Sequence, residues 1–492
     1  MKKNITIALS LLMWIVSTDS VLAQPELQKG METKEVEPEF ISTAHYIGEY
    51  QGLTCWVGNG RRHNKQVVLM DNNLNVKRAV TLKYDDEYNV LATALDSNRA
   101  AIVLMFRDGK RLTKLYGSVV DLDTMRSVHG DRDYMLLDSM AYGRKDRCHV
   151  WAATSPDRTK LGLVTVVEYT ENKQYSARAR LFDAKLDEQW VKNYALGTTD
   201  EICVSDDGMV VTLGRETMPD KTILVVNVMS AHKSDTYEAT VKCEPLIEMR
   251  LAGMSGHNMM AIGTFSTPGS DLRDEMCSGV AGLSFNVDSG IVNNFVLRAF
   301  TSEDINILLN KKTKKIQRHL ETDLVSIAAL TTTPYGAVAC LGRNYLLNKP
   351  ENDGTTSDIF YRTGLHMFAL NADGTVRWVR NLRRNDMQKK YDDLLNIALT
   401  TVDDDVLLLK NEHSKYPSGY DISDDAREME AGDKSNMVFY TIGPDGETHK
   451  VIVEQKTKQT LLRAEKGSDN RLIYLTRRGS RSRAASLKFH KP

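Results

Sequence analysis

Beyond its first two dozen residues the chain has no apolar run long enough to cross a bilayer as a helix. It has no excess of one charge either. The formal net charge is −1, so no global field draws nucleic acid or an anionic membrane surface. Cysteine is sparse: Cys55, Cys148, Cys203, Cys243, Cys277 and Cys340 lie far apart, with no C-x-x-C and no metal-ligand spacing. Most sit in apolar, strand-like runs such as "LTCWV" and "AVACL". Buried thiols are the expected state, and one or two bridges between adjacent strands stay open. The 11 histidines are scattered, with no pair at i, i+3 or i, i+4, so no local zinc motif is expected.

Signatures of catalysis are missing as well. No G-x-S-x-G occurs; "GMSGH" at residues 253–257 is a near miss, and nothing points to a Ser-His-Asp triad. "GNGRRH" opens no helix, so it is not a dinucleotide fingerprint. The 65 acidic residues show no spacing that singles out a catalytic carboxylate pair. The balance leans away from an enzyme without deciding the matter, and no cofactor or metal is expected.

What is present begins with an address. Lys2 and Lys3 precede an almost wholly apolar stretch over residues 5–16, and Val21, Leu22 and Ala23 follow. That is the pattern of a secretory leader cleaved after Ala23. An exported protein is expected: periplasmic, associated with the cell surface, or secreted. Residues 24–36 read as a polar linker and residues 37–492 as one domain.

The stretch "VSDDGMVVTLGRE" sets how that domain is read. Asp206 and Asp207 precede Gly208, which suggests a metal loop. The further oxygen ligands at fixed spacing are absent, and the polar break separates two β-type runs, so a hairpin turn is expected. The same break recurs at residues 51–52, 96–99, 155–158, 255–258, 334–336, 403–405 and 467–471. A second hairpin follows each of the first seven, as in "YGSVVDLDTMRSV" and "LHMFALNADGTVRWVRNL". Four strands repeated every ~45 to 80 residues are the mark of a β-propeller. The fold class is therefore all-β, with eight four-stranded blades; seven is the alternative, if the divergent first and last units share a blade. With the strands lettered A to D outward from the axis, the eighth unit lacks its D strand. Residues 37–43 are expected to supply it and so close the ring.

The A–B and C–D turns of a propeller lie on one face, the B–C and D–A connections on the other. Here the first set is short and the second holds nearly every long insertion, mostly in units five to seven. Long loops are uncommon without a role, and loops on a rigid scaffold are where binding sits. A short helix is expected over residues 302–322, where Ile305, Leu308, Leu309, Ile316 and Leu320 fall near one face. The seventh B–C loop carries Glu412, His413, Tyr416 and Tyr420; the sixth carries Arg343, Asn344, Tyr345 and Tyr361. Tyrosine joins area to a polar handle, so these eight residues are the candidate binding patch for an envelope protein or a glycan. If the protein were instead a hydrolase or lyase acting on an extracellular polymer, Glu412, His413 and Arg343 at the axial mouth of that face would be the candidates. The basic "RRGSRSR" near the C-terminus reads as a solvated hairpin tip, not as a nucleic-acid patch.

"ALNADGTVRW" at residues 369–378, and less closely "LFDAKLDEQW" at residues 181–190, resemble the repeat of quinoprotein-type eight-bladed propellers, roughly A-x-D-x-x-T-G-x-x-x-W. That resemblance implies a shared fold. No adjacent cysteine pair is present, which argues against the cofactor chemistry of that family. After the leader, the chain also resembles secreted bacterial propellers of unassigned function.

Overall fold

The computed structural model describes residues 26–29, 40, 43–60, 64–72, 75–109, 111–130, 132–171, 174–194, 199–218, 221–241, 246–266, 277–302, 304, 325–350, 356–389, 397–414, 427–428, 435–468, 470–478 and 481–489. Among them every extended element is a β-strand, and the strands form eight separate sheets. The protein is an eight-bladed β-propeller. The innermost strands of successive blades lie against one another, from His45–Tyr50 in blade 1 round to Thr460–Lys466 in blade 8.

The local reason is alternation. In the B strand of blade 2, Arg99–Asp108, residues Ala100, Ile102 and Leu104 pack towards blade 1, while Ala101 and Val103 pack towards blade 3. A strand with period-2 side chains and both faces covered reads as a continuous apolar run. The same scheme repeats between each pair of neighbouring blades. Burying one Val, Leu or Ile side chain stabilises the fold by roughly 1.5–3 kcal/mol, so stability is spread around the ring.

The turn at Asp206 and Asp207 is the A–B hairpin of blade 4. Gly208 takes φ +90°, and the Gly208 amide donates to the Ser205 carbonyl. The turn at residues 403–405 is the equivalent one in blade 7, with Val402 paired to Asp405.

The structure departs from the sequence expectations in three places. Ring closure occurs, but the eighth blade takes its outer strand from Glu26–Lys29, paired antiparallel to Arg481–Lys488. Residues 26–29, expected to be linker, thus form a strand; of residues 37–43, expected in that place, only Phe40 and Thr43 are among the described residues, and neither lies in a strand. Phe40 is instead fully buried among side chains of blades 1, 7 and 8. A Cβ at Gly58 would stand 2.5 Å from the Phe40 carbonyl oxygen, so this close approach needs glycine. In blade 2 the outer strand is Met135–Ala141, not the segment at residues 126–128, where only the short Arg126–Ser127 pairs. In blade 6 the expected B–C loop is a long hairpin, Gly336–Pro350 with Thr356–Asn371. Of the expected helix at residues 302–322, only Ser302 and Asp304 are among the described residues.

Cys55, Cys148, Cys203, Cys277 and Cys340 form no disulfide with one another, while Cys243 lies outside the described residues. Burial pushes Cys203 and Cys277 up to about 12.

Candidate functional site

The insertions of blades 6 and 7 meet on one platform. The blade 6 hairpin continues to the pair Pro350↔Thr356, and its D strand Val376–Lys389 follows as far as Ile359↔Lys389. Arg427–Glu428, from the B–C connection of blade 7, then pairs parallel to Asp386–Met387. The result is a five-stranded sheet across two blades. It brings the expected residues into register: Tyr345 stands opposite Tyr361, Tyr361 opposite Met387, and Met387 opposite Glu428. In the adjoining row Asn344 stands opposite Arg362, Arg362 opposite Asp386, and Asp386 opposite Arg427. Arg343 pairs with Thr363 at the base. All of these are strand positions. Tyr416 and Tyr420 lie outside the described residues, in the connection that carries Arg427 and Glu428.

Glu412 and His413 also belong to a strand, Asp405–His413, with His413 opposite Ser435. Glu412 is 1% exposed. Its Oε1 takes Lys410 Nζ at 2.6 Å and the Tyr440 hydroxyl at 2.6 Å, and its Oε2 takes Lys450 Nζ at 2.7 Å. Burial alone would raise this carboxyl, but the two ammonium groups outweigh it and hold the pKa at about 2. Glu412 is thus an anchor inside blade 7, ionised at neutral pH and on a strand opposite Asn436 rather than in the five-stranded sheet. A carboxyl fixed in this state cannot serve as a general acid.

A second set of polar groups lies at the innermost strands, at residues that the sequence does not single out. In blade 4, Asp200 precedes the inner strand and Glu201 opens it; Glu248 and Arg250 stand on that of blade 5, His149 and Trp151 on that of blade 3. Arg250 Nε meets Glu201 Oε1 at 3.2 Å, and Arg215 Nε meets Asp200 Oδ2 at 3.1 Å. Trp151 Nε1 donates to the Asp200 carbonyl at 3.2 Å, and the His149 and Trp151 rings stack at 5.7 Å. Burial raises both the Asp200 and Glu201 carboxyls, with the facing guanidiniums only partly offsetting it. Their signal in the sequence was faint: charges inside otherwise apolar runs, as in "LIEMRLAG". Among the described residues no group of three or more His, Cys, Asp or Glu is placed to hold a metal ion.

No protein-family model and no curated protein matches the chain. Solved structures similar to it include the polysaccharide lyase Uly1, with 10% identity, TM-score 0.40, and 82% of this chain and 90% of that one covered. Another is the WD40 domain of SCAP from fission yeast, with 9% identity, TM-score 0.40, and 94% and 98% covered. A third is the β-propeller domain of the Trilobed protease from Pyrococcus furiosus, described as having an open velcro topology, with 11% identity, TM-score 0.36, and 85% and 97% covered. Likeness at this level carries nothing about activity.

Proposed function

We propose that this chain is an exported binding propeller whose loop-elaborated face, centred on blades 6 and 7, holds a protein partner. One observation carries the reading: insertions from two different blades join in a single sheet through the parallel pair Asp386–Met387 with Arg427–Glu428. The residue types brought into register there include two tyrosines, a methionine and two arginines (Arg362 and Arg427), all enriched in protein–protein interfaces. Export rests on the leader pattern at residues 1–23.

The test is capture from envelope extract by cross-linking, with mature protein as bait, wild type against a truncation of residues 412–434 rejoined by a short linker. Because Glu412 is buried, a second truncation spares it and removes residues 416–434 only. Capture of a discrete protein by wild type, lost in a folded truncation, is the expected result. Equal capture by both sinks the proposal. Capture of a glycan alone would move the assignment to a glycan-binding platform.

A rival reading, a polymer-degrading hydrolase or lyase at the axial mouth of the same face, has one observation in its favour. Asp200 and Glu201, at the start of an inner strand, are carboxyls raised by burial beside Arg215 and Arg250, and perturbed carboxyls gather at active sites. Release of reducing ends or unsaturated products from extracellular polysaccharides, abolished in Glu201→Gln, would establish it.

A further inference from the structure

The opposite face, where every A–B turn is short, holds a cavity of about 760 Å³. Four neighbouring blades across the ring closure build it: the A–B turns of blades 8, 1, 2 and 3 stand round it, with Tyr46, Tyr50 and Leu95 in the wall. Its size falls in the range of small-molecule sites, roughly 300–1,000 Å³, and would hold on the order of two dozen waters at about 30 Å³ each.

The wall is fixed before any ligand arrives. Glu49 of blade 1 accepts from the Ser468 amide at 2.9 Å and from Arg471 of blade 8 at 2.6 Å. Arg158 of blade 3 reaches the Tyr46 carbonyl in blade 1 at 3.0 Å and Glu465 in blade 8 at 3.5 Å. The Leu95 amide of blade 2 donates to the Arg158 carbonyl at 2.8 Å. Asp157 is taken up by the Thr159 amide at 2.9 Å and the Ser155 hydroxyl at 2.5 Å. Most of the charge in the wall is thus neutralised within the wall.

The exposed rim is small and of mixed sign: Asp96, Ser97 and Gln51, with Lys466 beside them. One carboxylate accepts, one ammonium donates, and an amide and a hydroxyl do both. That set suits a ligand whose own groups both donate and accept. A phosphate would want several convergent cations, and an apolar ligand would leave the rim groups without water. We propose that this cavity binds a short oligosaccharide, with Asp96 and Lys466 gripping its hydroxyls. The site lies on the face opposite the blade 6–7 platform, so it stands or falls separately from that reading.

The test is titration of the mature protein with cellotriose, maltotriose and chitotriose, followed by calorimetry and saturation-transfer NMR, with inorganic phosphate in a parallel arm. Asp96→Ala and Lys466→Ala are the variants. Both residues are exposed, so the melting temperature is expected to hold. At least one trisaccharide should bind, and each variant should weaken it by roughly tenfold, the consequence of a lost charge-assisted hydrogen bond. Three outcomes overturn the proposal: no trisaccharide binds, affinity is indifferent to both substitutions, or phosphate binds where the sugars do not.

Discussion

The guanidinium of Arg158 lies 4.6 Å above the ring centroid of Tyr46, two blades away, while its NH1 donates to the Tyr46 carbonyl at 3.0 Å. The residue takes φ +64°, a left-handed turn position that aims the side chain across the ring. With Glu465 as its third contact, one side chain ties blades 1, 3 and 8 together. The Arg158→Ala variant is expected to lose about 2 kcal/mol, from a charged hydrogen bond of about 1.5 kcal/mol and a cation–π contact of about 0.5 kcal/mol. The pair with Glu465 is partly exposed and adds little. Urea unfolding checks this, and Arg158→Lys should recover only part of the loss, because it cannot serve three contacts with a planar fork.

Glu412 gives a prediction with a pH signature. Removing the anion that Lys410 and Lys450 share is expected to cost about 3 kcal/mol in Glu412→Gln. The folded pKa of about 2 lies below the ordinary 4.5. A carboxyl depressed by folding contributes stability that is full above its unfolded value and is lost as pH falls through the folded one. Wild type should therefore weaken between about pH 4.5 and about pH 2. Glu412→Gln should show a flatter profile over that window in urea midpoints measured against pH.

Asp405 has the opposite sign. Burial, then repulsion from Asp404 and Asp403, raises its pKa. A raised carboxyl resists ionisation in the fold, so its unfavourable contribution grows as pH rises. The Asp405→Asn variant is expected to gain up to about 1 kcal/mol at neutral pH, with the gain fading on acidification. Thermal unfolding at neutral and acidic pH distinguishes this from a constant packing effect.

The closing strand is short, yet its removal bares a whole edge. Deleting residues 26–29 takes away the ladder to Arg481–Lys488 and the cover that Leu27 gives the adjoining core. A loss of roughly 2–5 kcal/mol is expected from those hydrogen bonds and that burial. An open edge templates association, so size-exclusion chromatography should show concentration-dependent oligomers. A peptide spanning residues 26–29, added in excess, should reduce them.

The ring was legible because the A–B turns punctuate it. Asp206 to Gly208 and Asp403 to Asp405 look like chemistry only in isolation; as repeats at equivalent places they are turns. The outer strands were harder to read. Met135–Ala141 is half exposed with no clean alternation, and the turn residues after Asp121 offered an earlier, plausible strand. Glu26–Lys29 is "ELQK", with Leu27 its one apolar residue, because an edge strand buries little. Likewise the blade 6 residues Arg343 to Pro350 are too polar to announce a strand; their register comes from the hairpin they extend. Glu412 reads as a loop residue in the sequence because buried ion pairs and exposed charges look alike in one dimension. Asp200, Glu201 and Arg250 are illegible for the converse reason: a charge at the edge of, or within, an apolar run carries no mark of the groups it will face.

The pairing of Glu26 with Lys488 also orders events in time. Translation makes the closing strand before any blade, and its partner after all of them. At roughly 5–20 residues per second, the interval is on the order of tens of seconds. Throughout it the nascent chain holds only an open arc, and no amount of early folding can seal it. Closure is therefore the last event of folding, because the step that locks the ring waits until both strands of that ladder exist.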